Sequence, residues 1–276
     1  MTDPDRITSH YASDAIADRV LAMLRAHAGP DAAITPDTLA PIDHFHGRGL
    51  AATREAMALL EPQAGQHLLD IGCGIGGPAR WIAATFQCRV TGIDITPDFC
   101  TAARALNAAT GLADAVTIVD GSATDLPFAD ATFDGAYSQN VVMNIADPLR
   151  YYSEACRVLK PGARAVFSNI GRGAGGAPHY PVPWAATAAT SYLASLDETR
   201  TAITAAGFEI LSLDDVTPRV LPDLLALAAK SAGRGLPRLG VHAFMGERMR
   251  DYSANTTRNL AEGRTVLIEA LVRRPL

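Results

Sequence analysis

One octapeptide, Asp70-Ile71-Gly72-Cys73-Gly74-Ile75-Gly76-Gly77, constrains the fold of this chain more than any other stretch. It follows the short apolar run His67–Ile71 and precedes a segment of helical apolar spacing that reaches Thr85. A strand that ends in clustered glycines and resumes as a helix is a βα turn whose backbone bends tightly and lies open to a ligand. The flanking sequence supplies partners for that strand. Residues 88–93, 116–119, 133–137, 163–169 and 208–213 read as further strands, with helical runs over 97–109, 148–159 and 196–206 between them. Alternation of this kind predicts an α/β fold: a Rossmann-like, mostly parallel sheet with helices on both faces.

The two flanks of this pattern are helical. Ser13 or Asp14 is placed to cap a helix that runs to His27 and stops at Gly29-Pro30. A loop containing Pro36 and Pro41 leads to a second helix over 50–60. Residues 219–262 are mostly helical with a break at 233–240, and 265–272 closes as a strand. The expected organisation is an N-terminal helical cap or lid over 1–62 and a Rossmann-like domain over 63–276, with a helical insertion at about 219–262 before the last strand.

Charge and composition exclude several function classes. A net charge of −5 with no cluster of Lys or Arg argues against a nucleic-acid groove and against a polybasic membrane anchor. No apolar stretch reaches the roughly 18 residues that a membrane helix needs, and the polar, acidic N-terminus lacks the layout of a signal peptide. A cytoplasmic protein is expected. The cysteines Cys73, Cys88, Cys100 and Cys156 form no CxxC pair, so neither a zinc ribbon nor a redox pair is expected. His44 and His46, beside Asp43, could begin a metal site, but no closed ligand set is visible, and no metal is assigned.

The glycine loop satisfies two templates. Gly72, Gly74 and Gly77 fit the GxGxxG of dinucleotide binding, while Gly72, Gly74 and Gly76 fit the GxGxG of methyltransferases. The acidic residues around the loop favour the second. Asp70, two residues before Gly72, can hold the ammonium of a methionine moiety, whereas it would repel a pyrophosphate. Asp94, at the end of the second strand with Ile95 beside it, can accept both ribose hydroxyls. Asp120-Gly121-Ser122-Ala123 follows the third strand, where a carboxylate can take an adenine amino group. Cys73, inside the loop, could line the same ligand.

Taken in this order, with Val158-Leu159-Lys160-Pro161-Gly162 before the fifth strand, these features resemble class I S-adenosylmethionine-dependent methyltransferases. The resemblance covers about residues 43–213 and is strongest in LLDIGCGIGGPARWIA and TGIDIT. It implies a seven-stranded sheet with an antiparallel last strand and S-adenosylmethionine as cofactor, leaving S-adenosylhomocysteine as product. His10-Tyr11, DHFHGRG at 43–49, SQNVVMNIAD at 138–147 and AGF at 206–208 are similar to small-molecule methyltransferases, among them sarcosine/dimethylglycine N-methyltransferases. That likeness implies Arg48 as a partner for the methionine carboxylate and Tyr11 as a residue over the cofactor. Many members have His where this chain has Asn144, which cannot act as a base.

Ligands of an open parallel sheet lie beyond the C-terminal strand ends. Gln139 is therefore assigned to the cofactor, and Asn140, Met143 and Asn144 to the acceptor. Tyr180 and Trp184, in a Gly- and Pro-rich loop, are expected to contact the acceptor as part of a lid, and His242 as part of the insertion. Tyr11, His10 and His46 are the candidates for a base or proton relay. The expected reaction is methyl transfer to a small molecule, most naturally an amine nitrogen, by positioning and desolvation. O-, S- or C-methylation, a non-catalytic S-adenosylmethionine-binding protein and an NAD-dependent oxidoreductase are the alternatives. A small-molecule acceptor is the partner expected; oligomeric state is not legible.

Overall fold

The order of the strands decides where a ligand can sit. In a computed structural model, which describes residues 15–231, 237–246 and 248–276, seven strands form one sheet. They are β1 (His67–Ile71), β2 (Arg89–Asp94), β3 (Val116–Asp120), β4 (Phe133–Gln139), β5 (Leu159–Arg172), β6 (Glu209–Asp215) and β7 (Thr265–Arg273), in the order β3-β2-β1-β4-β5-β7-β6. The first five pair in parallel, and β7 runs antiparallel to both β5 and β6. Winding reverses between β1 and β4, so the crevice beyond their C-terminal ends is the switch point at which such sheets take ligands.

Helices cover both faces because the strands are apolar on both. Under α3 (Leu50–Leu60), α4 (Gly77–Phe86) and α5 (Pro97–Ala109), the side chains of Met57, Ile82, Leu68, Val90, Tyr137 and Val166 form one core cluster. Under α6 (Pro148–Val158) and α7 (Leu196–Ala205), Tyr151, Tyr152, Phe133, Phe167, Ile203 and Phe208 form the other. Each large apolar side chain removed from water here is worth about 1.5–3 kcal/mol before entropy is subtracted. A third cluster joins α1 (Ile16–Ala28) and α2 (Pro36–Asp43) to α5 and to α9 (His242–Met245), through Val20, Leu24, Ile42, Phe99 and Phe244. Thus the N-terminal helices and part of the insertion share one apolar seam over the ligand end of the sheet.

Several elements depart from the sequence reading. The stretch with Pro36 and Pro41 is helical. Pro36 occupies the first turn, where its missing N–H is not needed, and Thr35 and Thr38 exchange the two bonds of a capping box. Strand β5 begins at Leu159 rather than after the Pro161-Gly162 turn, because Leu159 pairs with Phe133 of β4 and Gly162 N–H bonds to the Arg274 carbonyl just past the end of β7. The insertion resolves into α8 (Thr217–Ser231), α9 and α10 (Met249–Ala261). The expected start of the first helix at Ser13 or Asp14, like His10 and Tyr11, lies outside the described residues. No described helix is long and apolar enough to cross a membrane.

Candidate active site

The glycine loop is held from below by backbone hydrogen bonds. Gly72 and Cys73 both donate to the Ile93 carbonyl, at 2.8 and 3.0 Å. Gly74 N–H donates to one oxygen of Asp94 at 2.8 Å, and Thr96 N–H to the other at 2.9 Å. Asp94 thus ties the β1 loop to the β2 loop. Gly72 has φ +78°, and a Cβ there would come within 2.2 Å of the Val141 side chain. Gly77 is required for a different reason: a Cβ would lie 2.3 Å from the Asp43 carbonyl oxygen, so the third glycine of the GxGxxG string seats α2 on α4. Gly76 caps α4 and stands behind the loop, away from the cavity lining.

Below that seat lies a buried charge network. Arg80 Nη2 donates to Asp43 at 2.8 Å, Arg80 Nη1 donates to the Asn107 side-chain oxygen at 3.0 Å, and His44 Nδ1 stands 2.9 Å from the other Asp43 oxygen. Burial works against the Asp43 carboxylate, yet His44 and Arg80 together hold its pKa below the ordinary value. His44 is therefore committed to structure, and among the described residues no group of three His, Cys, Asp or Glu is gathered that could hold a metal.

The crevice opens into one cavity of about 1920 Å³. Drug-sized ligands occupy sites of about 300–1,000 Å³, so there is room for a cofactor and a bulky second molecule together. Asp70, Gly72, Cys73, Gly74, Asp94, Ile95, Gly121, Ser122, Ala123 and Gln139 line one end, and Asn140, Met143, Asn144 and Trp184 the other; His242 also lines the cavity, on α9, which packs through Phe244 on Phe99. Asp120 does not join them. Its carboxylate is paired with Arg104 on α5, half exposed, outside the cavity, so only the backbone that follows it faces a ligand. Arg48 lines the cavity, but its guanidinium is paired with Glu55. Tyr180 lies behind the wall, packed on Met143, Val182 and Trp184.

The expected lid is a packed wall. Trp184 is 3% exposed, its indole N–H donates to Ser191 Oγ at 2.9 Å, and Asn144 Nδ2 donates to its carbonyl at 2.7 Å. Asn144 thus anchors the loop that faces the acceptor end. Partial burial lowers the His242 pKa. His46 has its pKa pushed down to about 3, first by burial and then by His44 and Arg48, which makes it a weak base at neutral pH. A proton-accepting role for His46 does not fit that setting. Burial likewise drives the Cys73 thiol up, which keeps it protonated and inert.

S-adenosylmethionine can be tested against these residues. Asp70 is 3% exposed, and its Oδ2 has no partner. Burial pushes its pKa up to about 7, the Tyr137 hydroxyl beside it moderates the rise, and Asp94 adds to it. A buried carboxyl in that state is completed by a cation, as an ammonium would do. The position of a Cβ on Gly74 meets nothing within 4 Å, so the loop backbone presents open space to a ligand. The lone pairs left on Asp94 face the same cavity. These residues fit the cofactor.

Two cavity residues escaped the sequence reading, Ser168 and Glu269, and so did Thr53 and Arg219, which stand behind the lining as partners of Gln139 and Glu269. Glu269 had a signal, since it is a charge in the middle of the apolar strand Thr265–Arg273. Ser168 in AVFSNI is a weaker case of the same kind.

A Rossmann-like sheet with an antiparallel β7, a glycine loop after β1 and a buried acid at the end of β2 defines the class I methyltransferase fold. The strand order, the glycine loop and the acids at 70 and 94 resemble those of the class I S-adenosylmethionine-dependent methyltransferases, whose fold this chain has. Residues 69–167 match the family model described as "Methyltransferase domain". The O-methyltransferase resE of Aspergillus sclerotiorum is 34% identical over 175 residues, 62% of this chain and 65% of that protein. The chain spans less than two thirds of the length of the curated relatives it matches, for example 57% of the methyltransferase phqN of Penicillium fellutanum. Among solved structures, the [4+2]-cyclase SpnF is 25% identical with a TM-score of 0.64, covering 95% of this chain and 94% of that one. Geranyl diphosphate C-methyltransferase from Streptomyces coelicolor shares the fold, with a TM-score of 0.71 at 19% identity over 98% and 97% of the two chains.

Proposed function

We propose that this chain transfers a methyl group from S-adenosylmethionine to a small, uncharged molecule with a bulky apolar body. The observation that carries the proposal is the continuity of one cavity, from Asp70, Gly74 and Asp94 into a chamber walled by Met143, Ile145, Ile170, Trp184, Leu224 and Leu260. When bound, the cofactor supplies a methyl group made electrophilic by its sulfonium. Asp70 binds the ammonium, Asp94 takes the ribose hydroxyls, and the backbone of Gly121, Ser122 and Ala123 borders the adenine. Gln139 and Asn140 stand between the two ends. The packed wall around Trp184 excludes water and holds the acceptor in line, and positioning of that kind lowers a barrier by as much as about 7–11 kcal/mol.

An amine nitrogen, expected from the flanking motifs, would arrive as an ammonium and would need uncompensated negative charge at the acceptor end. Glu55 and Glu269, the carboxylates nearest that end, are matched by Arg48 and Arg219. Oxygen or carbon of a neutral acceptor suits this balance better, in keeping with the O-methyltransferase likeness. A second reading has one observation behind it, the likeness to a cyclase over nearly the whole chain. On that reading the cofactor binds and the chamber does other chemistry.

The test is transfer from labelled S-adenosylmethionine to a panel of naphthols, other hydroxylated apolar compounds, glycine derivatives and thiols, with product mass and S-adenosylhomocysteine both recorded. Transfer to the apolar hydroxy compounds is expected. Transfer confined to glycine derivatives would overturn the acceptor class, bound cofactor without transfer would favour the second reading, and no cofactor binding would sink the proposal.

A further inference from the structure

Three polar residues stand in one row across the floor of the cavity. Gln139 on β4 is the register partner of Ser168 on β5, and Ser168 is the partner of Glu269 on β7. Residues in register on neighbouring strands share a face, and all three line the cavity. At about 4.8 Å between strands, the row is roughly 10 Å long. Its near end reaches α3, where Thr53 Oγ1 donates to Gln139 Oε1 at 3.3 Å and lies 3.2 Å from His46 Nε2. Two buried atoms at that end, Gln139 Nε2 and His46 Nδ1, have no partner. Buried polar atoms are nearly always satisfied, so two unpaired ones on residues that line the cavity mark a place for a polar ligand group.

Glu269 ends the row, with its side chain 13% exposed. Placing a carboxylate in an apolar strand is costly unless the group is used. Every other carboxylate lining the cavity among the described residues has another place. Asp43 is paired with Arg80, Asp70 and Asp94 belong to the glycine loop, and Asp37 and Asp147 are exposed at the rim. Four charged groups surround Glu269. Arg219 of α8 lies 3.4 Å away and also reaches Glu55 of α3 at 3.2 Å; Glu55 in turn pairs with Arg48; and Asp214, its register partner on β6, is exposed. Burial raises the Glu269 pKa above the usual carboxylate range; Arg219 opposes the rise, Glu55 adds to it, and Arg48 opposes it. Ion pairing to α8 alone would account for a surface Glu, but it does not account for a carboxylate that shares a cavity floor with unpaired donors.

We propose that the row of Gln139, Ser168 and Glu269 receives a hydroxyl group of the acceptor and that Glu269 takes its proton during transfer. This rests on the methyltransferase reading above. The acceptor O–H bond breaks as its proton passes to the Glu269 carboxylate. An oxygen lone pair forms the new O–C bond to the methyl group, and the electrons of the broken S–C bond remain on sulfur. The products are a methyl ether, S-adenosylhomocysteine and a protonated Glu269, which returns its proton to water.

The experiment compares the full chain with its Glu269→Gln variant on two probes, 2-naphthol and a nitro-substituted 2-naphthol whose hydroxyl is far more acidic. The variant keeps the shape and loses the base. A lost general base lowers kcat for 2-naphthol by about a hundredfold or more, and by much less for the nitro compound, which reaches the site largely ionised. S-adenosylmethionine affinity stays within about twofold, a few tenths of a kcal/mol. Equal losses on both probes, or no loss, would overturn the role.

Arg219→Gln separates a proton acceptor from a structural ion pair. Removing the cation raises the Glu269 pKa, so the acid limb of the pH profile moves to higher pH. A structural role would lower kcat equally at all pH. A third readout needs no cofactor. The absorbance of bound nitronaphthol reports its ionisation, and a facing carboxylate disfavours the phenolate. Its apparent pKa in the site is therefore higher in the wild type than in Glu269→Gln; an unchanged value would count against contact. No transfer to either naphthol by the wild type, with glycine derivatives methylated, overturns the hydroxyl row and leaves the methyltransferase reading standing. Absence of cofactor binding overturns that reading itself.

Discussion

Arg80 and Asp43 meet at 2.8 Å with their side chains 0% and 1% exposed, and this pair fastens an N-terminal helix to the helix that follows the glycine loop. Removing one partner of a buried ion pair leaves the other charge uncompensated, at a cost of about 3–5 kcal/mol. Arg80→Ala is expected to lose that much in urea unfolding, and Asp43→Asn to lose cofactor affinity as well, because the seat on Gly77 shifts. The same pair sets an acid limb. The Asp43 pKa is lower in the fold than in the unfolded chain, so its contribution is fully present above the ordinary Asp value of about 3.9 and is lost as pH falls further. An Arg80→Ala variant whose urea midpoint matched the wild type would refute the structural role.

Asp70 has the opposite sign. Its pKa of about 7 in the fold exceeds that of an unfolded Asp, so the unliganded fold binds this proton more tightly. That contribution to stability is complete at low pH and disappears as pH rises from about 4 to 7. An ammonium placed beside Asp70 requires the ionised form. Cofactor binding is therefore expected to release close to one proton at about pH 6 and to take up protons at about pH 8.5, where the free methionine amine is largely neutral, with affinity falling toward tenfold per unit below pH 7. Calorimetry in buffers of different ionisation enthalpy measures the proton count directly, and Asp70→Asn should remove it. Equal proton release at both pH values would show that another group titrates.

Two glycines of one loop are expected to fail in different ways. Gly77→Ala places a methyl group 2.3 Å from the Asp43 carbonyl, forcing α2 and α4 apart at a cost of about 1–3 kcal/mol. Gly74→Ala meets no atom within 4 Å, although its φ of +53° carries about 1–2 kcal/mol of strain. Its methyl group enters the space reserved for the ligand. Denaturation combined with titration calorimetry should find Gly77→Ala mainly unstable and Gly74→Ala mainly unable to bind. Reversal of the two phenotypes would contradict the assigned contacts.

The side-chain amide of Asn144 donates to the Trp184 carbonyl. Asn144→Ala should cost about 1 kcal/mol. It should also speed amide exchange at Tyr192, whose N–H is bonded to the Met143 carbonyl next door. Acceptor KM should rise more than cofactor Kd. Unchanged exchange at Tyr192 would mean that the wall is held by Trp184 packing alone.

The cofactor half of the site was legible because each feature there is local. Glycines at 72, 74 and 76 with an acid at 70 announce a turn and its ligand within a few residues of each other, and the acid at 94 follows at the end of the next strand. What was missed depends on distance. Arg80 lies in a helical run where a charge is ordinarily solvated, and only the fold brings Asp43, 37 residues earlier, beneath it. Asp120 was in the right loop, yet Arg104, one helix away, takes its carboxylate to the surface. Pro36 and Pro41 read as breakers until the Thr35 cap shows one of them to be a helix start. Glu269 is marked locally as a charge inside an apolar strand, but the cavity it reaches depends on pairing across two strands, which no local pattern reveals.

Strand β7 lies between β5 and β6, two strands that precede it in the chain and do not pair with each other. During synthesis the glycine loop and the acids at 70 and 94 emerge long before residue 269. A nascent chain can assemble the nucleoside pocket while the sheet still has a gap one strand wide. Inserting β7 closes the gap and delivers Glu269 in the same event, so the cavity is walled only when the sheet is complete. A chain arrested before that point would hold the glycine loop beside a sheet with two unpaired edges, and the topology makes such an intermediate open to solvent as well as incomplete.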